Sequence, residues 1–244
     1  MLRRARLSKL MFESNGGEKS ENILWARGGD VRHRRRSGPG RPGAARRGTA
    51  MTPLDRLRER LPDYTVTELP LNLPEAAVLM PFVDGPDPEL ILTVRSLAMP
   101  THPGEVAFPG GKRDPGDRDL RMTALRESRE EVGLPYDQVE VLGRLSPLAS
   151  RFGMKVTPFV GLVAPGVELV PEPGEIETIF QVPLSFFLEQ TPELSAPMEI
   201  YGRRLRMPSY YFEDKRIWGL TAFMILDLIN HVYDVDVHFD LTGQ

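Results

Sequence analysis

Residues 110–134 read GGKRDPGDRDLRMTALRESREEVGL, and the second half of this stretch has the spacing of an amphipathic helix. A helix predicted over 119–132 places Glu127, Glu130 and Glu131 at positions i, i+3 and i+4, so their side chains share one face. Apolar residues on the other side would anchor the helix to a sheet, namely Met122, Leu125 and Val132. The stretch therefore predicts three carboxylates held together on a rigid element.

Carboxylates that lie this close repel one another, and a bound divalent cation commonly offsets the repulsion. Ligands that are all oxygen atoms favour a hard ion, so the sequence predicts Mg²⁺ or Mn²⁺. An E-x-x-E-E pattern alone is usually a solvated charged face of a helix. The interpretation as a site gains support from Gly110 and Gly111 upstream, Arg126 directly before the first glutamate, and Gly133 at the C-terminal cap.

The same stretch resembles the Nudix box, G-x5-E-x7-R-E-U-x-E-E-x-G-U, in which U is aliphatic. The matching positions are occupied by Arg126, Glu127, Glu130, Glu131, Gly133 and Leu134. Two positions differ from the pattern. Glu127 is the sixteenth residue after Gly111 instead of the fifteenth, and Ser128 stands at the first aliphatic position.

The extra residue lies in the segment DPGDRD, so the acid of the first half of the box is either Asp117 or Asp119. The resemblance implies that this acid pairs with Arg126. We predict that Asp117 orients Arg126, which would leave the glutamates free to bind metal.

Residues 92–111, LTVRSLAMPTHPGEVAFPGG, resemble the coenzyme A diphosphatase branch of the Nudix family, which typically shows L-L-T-x-R-S-x3-R-x3-G-x3-F-P-G-G. The positions that match are Leu92, Thr93, Arg95, Ser96, Gly104, Phe108, Pro109, Gly110 and Gly111. Pro100 stands where the second arginine is expected, so one phosphate-contacting charge is missing or is supplied by another residue. Residues 217–229 also resemble this branch, and the resemblance covers about 75–230.

The resemblance implies Mg²⁺-dependent hydrolysis of the diphosphate of coenzyme A or a derivative, giving 4′-phosphopantetheine and adenosine 3′,5′-bisphosphate. The implied catalytic residues are Arg126, Glu127, Glu130 and Glu131, with Glu127 and Glu131 as first metal ligands and Glu130 as a further one. The implied substrate-binding residues are Arg95, Ser96, Gly110, Gly111, Lys112 and Arg113. The alternative interpretations are a strand-end residue for Arg95 and simple turns for Gly104 and Gly110. Lys112 and Arg113 are equally explained as loop surface.

The general base stays open between a box glutamate and a carboxylate on a later loop, Glu175 or Glu177. His102 is interpreted as surface, because a lone histidine in a proline-rich loop is usually solvated. Trp218 is interpreted as core, although stacking on adenine is an alternative.

Strand patterns at 76–83 and 90–95 flank a Gly- and Pro-containing hairpin loop, and further strands are predicted in QVEVLGRL, MKVTPFVGLV and a pair around EIYGRRLRMPSYYF. Helices are predicted in TPLDRLRERL, over 119–132, briefly in PLSFFLEQ, and in WGLTAFMILDLINHV. This order predicts an α/β fold with a mixed sheet covered on its faces. The resemblance narrows it to a Nudix-like α/β/α sandwich with a catalytic loop-helix-loop.

Of the 31 basic and 34 acidic residues, 13 basic and 4 acidic residues lie in 1–50, so that segment carries +9 and residues 51–244 carry −12. Residues 1–50 are rich in Arg, Gly and Pro, which predicts a disordered extension, and 51–244 are predicted to form the Nudix domain. The extension is open to three further interpretations: a transit peptide, a contact to nucleic acid, or a mis-assigned start with Met51 as the true one.

The absence of cysteine excludes disulfides, thiolate metal sites and cysteine nucleophiles. No apolar run approaches the roughly 18 residues that span a bilayer, and a cytoplasmic location is expected. The expected partner is a small-molecule substrate, with nucleic acid disfavoured and either a monomer or a homodimer open. Two other functions are weighed: a Nudix hydrolase of ADP-ribose, a dinucleoside polyphosphate or a nucleoside triphosphate, and a non-catalytic binding module that uses the basic tail.

Overall fold

The computed structural model describes residues 51–200 and 203–235, so the predicted extension 1–50 lies outside the described residues. Four α-helices occur in the described ranges: α1 (Pro53–Arg60), α2 (Leu120–Val132), α3 (Leu184–Glu189) and α4 (Gly219–Tyr233). Short 3-10 turns occur at Leu61–Asp63 and Tyr136–Gln138. The helices match the predicted segments. No helix of these residues is long and apolar enough to cross a membrane.

A mixed eight-stranded sheet forms the centre of the fold. Its strands are β1 (Glu75–Val83), β2 (Glu89–Arg95), β3 (Val106–Ala107), β4 (Gly110–Lys112), β5 (Val139–Arg144), β6 (Leu148–Ala149), β7 (Lys155–Val163) and β8 (Ile176–Pro183). The β1 and β7 strands run parallel from Glu75 opposite Lys155 to Val83 opposite Val163, and the other pairings are antiparallel. The predicted hairpin of β1 and β2 is confirmed.

The two faces of β1 bury apolar side chains against different helices, as the alternation of a strand requires. Ala77 and Leu79 pack with α2 in one core, whereas Met80 and Phe82 pack in a larger core that also contains residues of α1 and α4. Helices therefore cover both faces of the sheet. The predicted α/β/α sandwich with a mixed sheet is confirmed.

A second, smaller layer of strands follows β8 and α3. A three-stranded sheet contains β9 (Glu193–Leu194), β12 (Pro208–Phe212) and β13 (Lys215–Trp218), and a hairpin contains β10 (Met198–Ile200) and β11 (Arg203–Leu205). The predicted pair of strands around residues 199–212 thus becomes three strands. The β13 strand leads directly into α4, which places Trp218 at the junction of the two elements.

The sequence patterns did not indicate β8 or the short strands β3, β4 and β6. One consequence concerns Glu177, which was placed on a loop and instead lies in β8, while Glu175 lies in the turn just before that strand. The β8 strand pairs with β2 along its length, from Pro183 opposite Glu89 to Ile176 opposite Arg95. The alternation of side chains on a strand then separates neighbours onto opposite faces.

Candidate active site

Local sequence sets both ends of α2, the helix that carries the glutamates. The Asp119 side chain caps the N-terminus by accepting a hydrogen bond from the Met122 amide at 2.8 Å. Gly133 ends the helix in the left-handed conformation, with φ of 71°, and its amide donates to the Arg129 carbonyl. On the sheet side, Leu125 and Val132 are buried against β1, so α2 is fixed in position and in rotation.

Glu131 is the most enclosed of the three glutamates, with 4% of its side chain exposed. One carboxylate oxygen accepts a hydrogen bond from the Gly110 amide at 2.9 Å, and the other lies 3.5 Å from Arg95 Nη1. Burial raises the pKa of Glu131 to about 7, against the opposing effects of the Gly110 amide and Arg95. The charges of Glu127 and Glu175 raise the pKa further.

Glu127 lies one helical turn before Glu131 and has 15% of its side chain exposed. Burial raises the pKa of Glu127 above its ordinary value, Arg126 opposes that shift, and the charges of Glu130 and Glu175 add to it. The buried Glu131 and the largely enclosed Glu127 therefore carry negative charge that their surroundings only partly offset.

Glycine is required at positions 110 and 111 because neighbouring atoms leave no room for a side chain. A Cβ on Gly111 would lie 2.5 Å from the carboxyl carbon of Glu127, and a Cβ on Gly110 would lie 2.4 Å from the Ala77 carbonyl oxygen. Any side chain at either position would displace a carboxylate or a strand. The interpretation of Gly110 as a simple turn is thus wrong, because Gly110 lies in β4, which pairs with β1, whereas Gly104 does lie in a turn.

Arg126 connects the first half of the box to the helix. Its Nε and Nη2 donate to the two oxygens of Asp117, each at 3.0 Å, and the guanidinium also reaches Glu127 at 2.9 Å and Glu130 at 2.8 Å. The Arg126 guanidinium holds the pKa of Asp117 down at about 2. The prediction that Asp117, and not Asp119, orients Arg126 is confirmed, since Asp119 is occupied as the helix cap.

Glu130 differs from its two companions. Its side chain is 58% exposed and pairs with Arg126 at the helix surface. Of the three predicted metal ligands, the structure thus brings Glu127 and Glu131 to the glycine pair and leaves Glu130 beside Arg126.

The donor chemistry of Glu127 and Glu131 fits a hard divalent cation. Across residues 51–200 and 203–235, no three His, Asp or Glu side chains converge in a ready-made metal cage. Mg²⁺, however, is usually held by one or two carboxylates, with water and substrate phosphates as its other ligands. The carboxylates of Glu127 and Glu131, whose pKa values are raised, are such a pair, and Glu175 adds a third negative charge nearby.

A cavity of about 300 Å³ adjoins these carboxylates. Gly110, Gly111 and Arg95 line it and also contact Glu127 or Glu131, so they connect the cavity to the acidic pair. Most of the remaining wall is apolar and includes Val78, Met154, Phe152, Trp218 and Met224. The volume and the mainly apolar wall of the cavity suit a small organic ligand, and Arg95 and Lys112 in the wall suit an anionic group on that ligand.

The predicted substrate-binding residues divide into two groups. Arg95 and Lys112 lie in the cavity wall, and Arg95 Nε is buried without a hydrogen-bond partner among the described residues. Ser96 is not brought to the cavity, because its hydroxyl accepts from the Ala98 amide at 3.2 Å in a turn. Arg113 also faces elsewhere and pairs with Glu75 at 2.9 Å.

Other residues of the cavity wall were missed or misassigned from the sequence. His102 was expected at the surface and Trp218 in the core, yet both line the cavity. Glu105 and Arg151 also lie there and pair with each other at 3.1 Å. The signal for His102 was its position between Ser96 and Gly104, two residues that match the upstream motif.

Comparison with known proteins assigns the family. The NUDIX domain model matches residues 73–198. An uncharacterized Nudix hydrolase NudL of Photorhabdus laumondii subsp. laumondii is 45% identical over 161 residues, covering 66% of this chain and 86% of the relative. A protein of the same name from Yersinia pestis (strain Pestoides F) is 43% identical over 157 residues, covering 64% and 79%.

Solved structures with a similar chain path include an Ap4A hydrolase of C. elegans in a binary complex, with 21% identity and a TM-score of 0.40, covering 47% of this chain and 83% of that one. A MutT/nudix family protein of Enterococcus faecalis has 15% identity and a TM-score of 0.44, covering 71% and 67%. The match of the domain model and the identity to the NudL proteins show that this chain belongs to the Nudix hydrolases, enzymes that act on diphosphate bonds of nucleoside diphosphate derivatives.

Proposed function

We propose that the chain hydrolyses the diphosphate bond of coenzyme A or a derivative in a Mg²⁺- or Mn²⁺-dependent reaction. The products would be 4′-phosphopantetheine and adenosine 3′,5′-bisphosphate. The observation that carries the proposal is the register of residues 92–111, which ends in Gly110 and Gly111. These two glycines line the cavity and contact Glu127 and Glu131, so a diphosphate bound beside them would lie next to the proposed metal ligands.

Glu127 and Glu131 are proposed to hold the metal ion, whereas Glu130 pairs with Arg126 at the helix surface and is proposed to have only a secondary role. When bound, the ion neutralises phosphate charge and makes a coordinated water more acidic. The family generally uses divalent ions such as Mg²⁺. The role of Arg126 is to orient Glu127, because its guanidinium is held on two sides by the oxygens of Asp117.

Arg95 and Lys112 are proposed to bind the diphosphate oxygens. Arg95 has an unused Nε–H donor at the cavity wall, and it already neutralises part of the charge of Glu131. Residues 51–244 carry a net charge of −12, so an anionic substrate depends on such local cations and on the metal for binding.

Glu175 is the proposed general base, which would accept the proton of the attacking water. Its turn packs on the end of α2, since the Glu172 amide donates to the Glu131 carbonyl at 2.9 Å and the Glu175 amide donates to the Glu172 carbonyl. The charge of Glu175 is close enough to raise the pKa values of both Glu127 and Glu131. A carboxylate in this position could accept a proton without being one of the two proposed metal ligands.

A panel of substrates tests the proposal. Purified protein with Mg²⁺ or Mn²⁺ is assayed on coenzyme A, ADP-ribose, a dinucleoside polyphosphate and a nucleoside triphosphate, and the products are separated by chromatography. Coenzyme A should give the highest kcat/KM and the two products named above. Rapid turnover of ADP-ribose with coenzyme A left intact would overturn the substrate assignment.

A paired substitution tests the metal site. Glu131→Gln should reduce kcat on coenzyme A at least about a hundredfold, because one carboxylate ligand becomes neutral. Glu59→Gln on the exposed side of α1 is the control and should leave activity unchanged. Full activity of Glu131→Gln would show that Glu131 is not a metal ligand.

A further inference from the structure

Glu105 joins two loops at the rim of the cavity. The first loop, residues 96–105, connects β2 to β3, and the second, residues 150–154, connects β6 to β7. One oxygen of Glu105 lies 2.5 Å from His102 Nδ1, and the other accepts from Arg151 Nη2 at 3.1 Å. Arg151 is therefore held in place by a residue of the other loop.

The guanidinium of Arg151 lies over two aromatic rings. Its central carbon is 4.6 Å from the centre of the Phe152 ring and 5.6 Å from the Trp218 ring. The contacts with these rings and the hydrogen bond to Glu105 hold a side chain that is still 52% exposed. Within the part of the chain that the structure describes, Glu105 is the one hydrogen-bond acceptor of Arg151, so its remaining N–H groups are available to a ligand.

The first loop also contains the position at which the diphosphatase pattern typically has its second arginine. Pro100 occupies that position, two residues before His102. Pro100 is exposed, and it has neither charge nor an N–H donor. Arg151 brings a guanidinium to the same loop from a different part of the chain, through its bond to Glu105.

We propose that Arg151 binds a phosphoryl group of the substrate and replaces the arginine that is absent at Pro100, with Glu105 as its positioning residue. This inference rests on the proposed function, because it assumes a phosphorylated nucleotide in the cavity. Arginine suits the role because its planar group offers several donors to phosphate oxygens while it stacks on aromatic rings.

Binding and kinetics of Arg151→Gln test the proposal. The affinity of the metal-free protein for adenosine 3′,5′-bisphosphate is measured by calorimetry, and kcat and KM are measured on coenzyme A. A lost charge-assisted contact should raise both Kd and KM at least about tenfold. The value of kcat should stay within about threefold, because the metal site is unchanged.

Arg216→Gln is the matched control. Arg216 also lies over Trp218, at 5.0 Å, but it bonds to Ser209 at 3.0 Å and does not line the cavity. The Arg216→Gln variant should have a Kd for the bisphosphate and a KM for coenzyme A within about twofold of the wild-type values, because exposed charges have small effects. An equal loss in both variants would show a general effect of net charge and would overturn the proposal.

A rescue experiment tests the replacement of Pro100. The double variant Pro100→Arg with Arg151→Gln returns a guanidinium to the first loop. It should bind the bisphosphate at least about threefold more tightly than Arg151→Gln alone. The absence of recovery would refute the idea that Arg151 takes the place of that arginine.

The role of Glu105 is tested by non-additivity. Glu105→Gln alone should weaken binding, whereas adding it to Arg151→Gln should cause no further loss, because the positioning residue acts through Arg151. Additive losses would contradict a positioning role.

The two proposals fail in different ways. If coenzyme A is not hydrolysed but the bisphosphate binds in an Arg151-dependent manner, the substrate assignment fails and the Arg151 assignment stands. If coenzyme A is hydrolysed and Arg151→Gln matches the wild type in Kd and KM, only the Arg151 assignment fails. No binding of the bisphosphate by the wild type would also overturn it.

Discussion

Replacing Asp117 with Asn removes the charge that holds Arg126 in two hydrogen bonds. The amide keeps the shape of the side chain but offers one acceptor oxygen instead of two. Arg126 would then be held mainly by Glu127 and Glu130, and it would draw Glu127 away from Gly111. The variant should therefore lose stability and activity together.

The size of the stability loss follows from the pKa of Asp117, which the Arg126 guanidinium lowers from 3.8 to about 2. At 1.36 kcal/mol per pKa unit, this shift corresponds to roughly 2.4 kcal/mol. Solvent reaches Arg126, whose side chain is 23% exposed, and screening reduces the expected loss to about 1–2 kcal/mol. A displacement of Glu127 by about 1 Å would in addition lower kcat about ten- to hundredfold.

The sign of the pH dependence is set by the lowered pKa. A carboxyl group whose folded-state pKa is depressed stabilises the fold above its unfolded pKa of 3.8 and loses this contribution as the pH falls toward about 2. The difference in unfolding free energy between wild type and Asp117→Asn should be full at about pH 6–7 and should fall to about half of that value near pH 3.

Urea unfolding at a series of pH values, followed by circular dichroism, measures this difference. Asp137→Asn, an exposed residue outside the site, is the control and should show no loss at any pH. A loss for Asp117→Asn that is the same at pH 7 and near pH 3 would refute the electrostatic explanation. Retained kcat with lost stability would show that Arg126 does not position Glu127.

Three further predictions concern the site and the core. Gly111→Ala should reduce kcat at least about a hundredfold, because its Cβ would meet the Glu127 carboxylate, and Gly85→Ala, where a Cβ has no contact closer than 3.8 Å, should leave kcat unchanged. Tyr64→Phe should lower the free energy of unfolding by about 1.5–3 kcal/mol, since the buried hydroxyl donates to the Asp227 carboxylate at 2.6 Å; an unchanged melting curve would contradict this. Mn²⁺ should raise the melting temperature of the wild type but not of Glu127→Gln, and equal shifts in both would place the ion elsewhere.

The features that could be predicted from the sequence are those that a short segment determines by itself. The helix α2 is one, because Asp119 caps its start, Gly133 ends it and its apolar residues recur at helical spacing. The pairing of Asp117 with Arg126 is another, since the two lie nine residues apart across one loop and two turns of helix.

The features that were missed depend on pairing between distant segments. The strands β3 and β4 have two and three residues, too few for any period to be recognised, and they exist because β2 and β1 supply their hydrogen bonds. The contact of Glu105 with Arg151 spans 46 positions of sequence and has no local pattern. Ser96 and Arg113 show a related limit, because a motif fixes the position of a residue along the chain but not the direction of its side chain.

The three glutamates show why a motif alone does not define a site. Glu130 and Glu131 are neighbours in sequence, but successive residues of a helix point about 100° apart. The contacts of α2 with β1 fix the rotation of the helix, and this leaves 58% of the Glu130 side chain exposed but only 4% of the Glu131 side chain. Burial then raises the pKa of Glu131 to about 7, while the Gly110 amide fixes one of its oxygens. The pair to be tested as metal ligands is therefore selected by how the helix packs on the sheet, and a change in that packing should alter the site even where all three glutamates are retained.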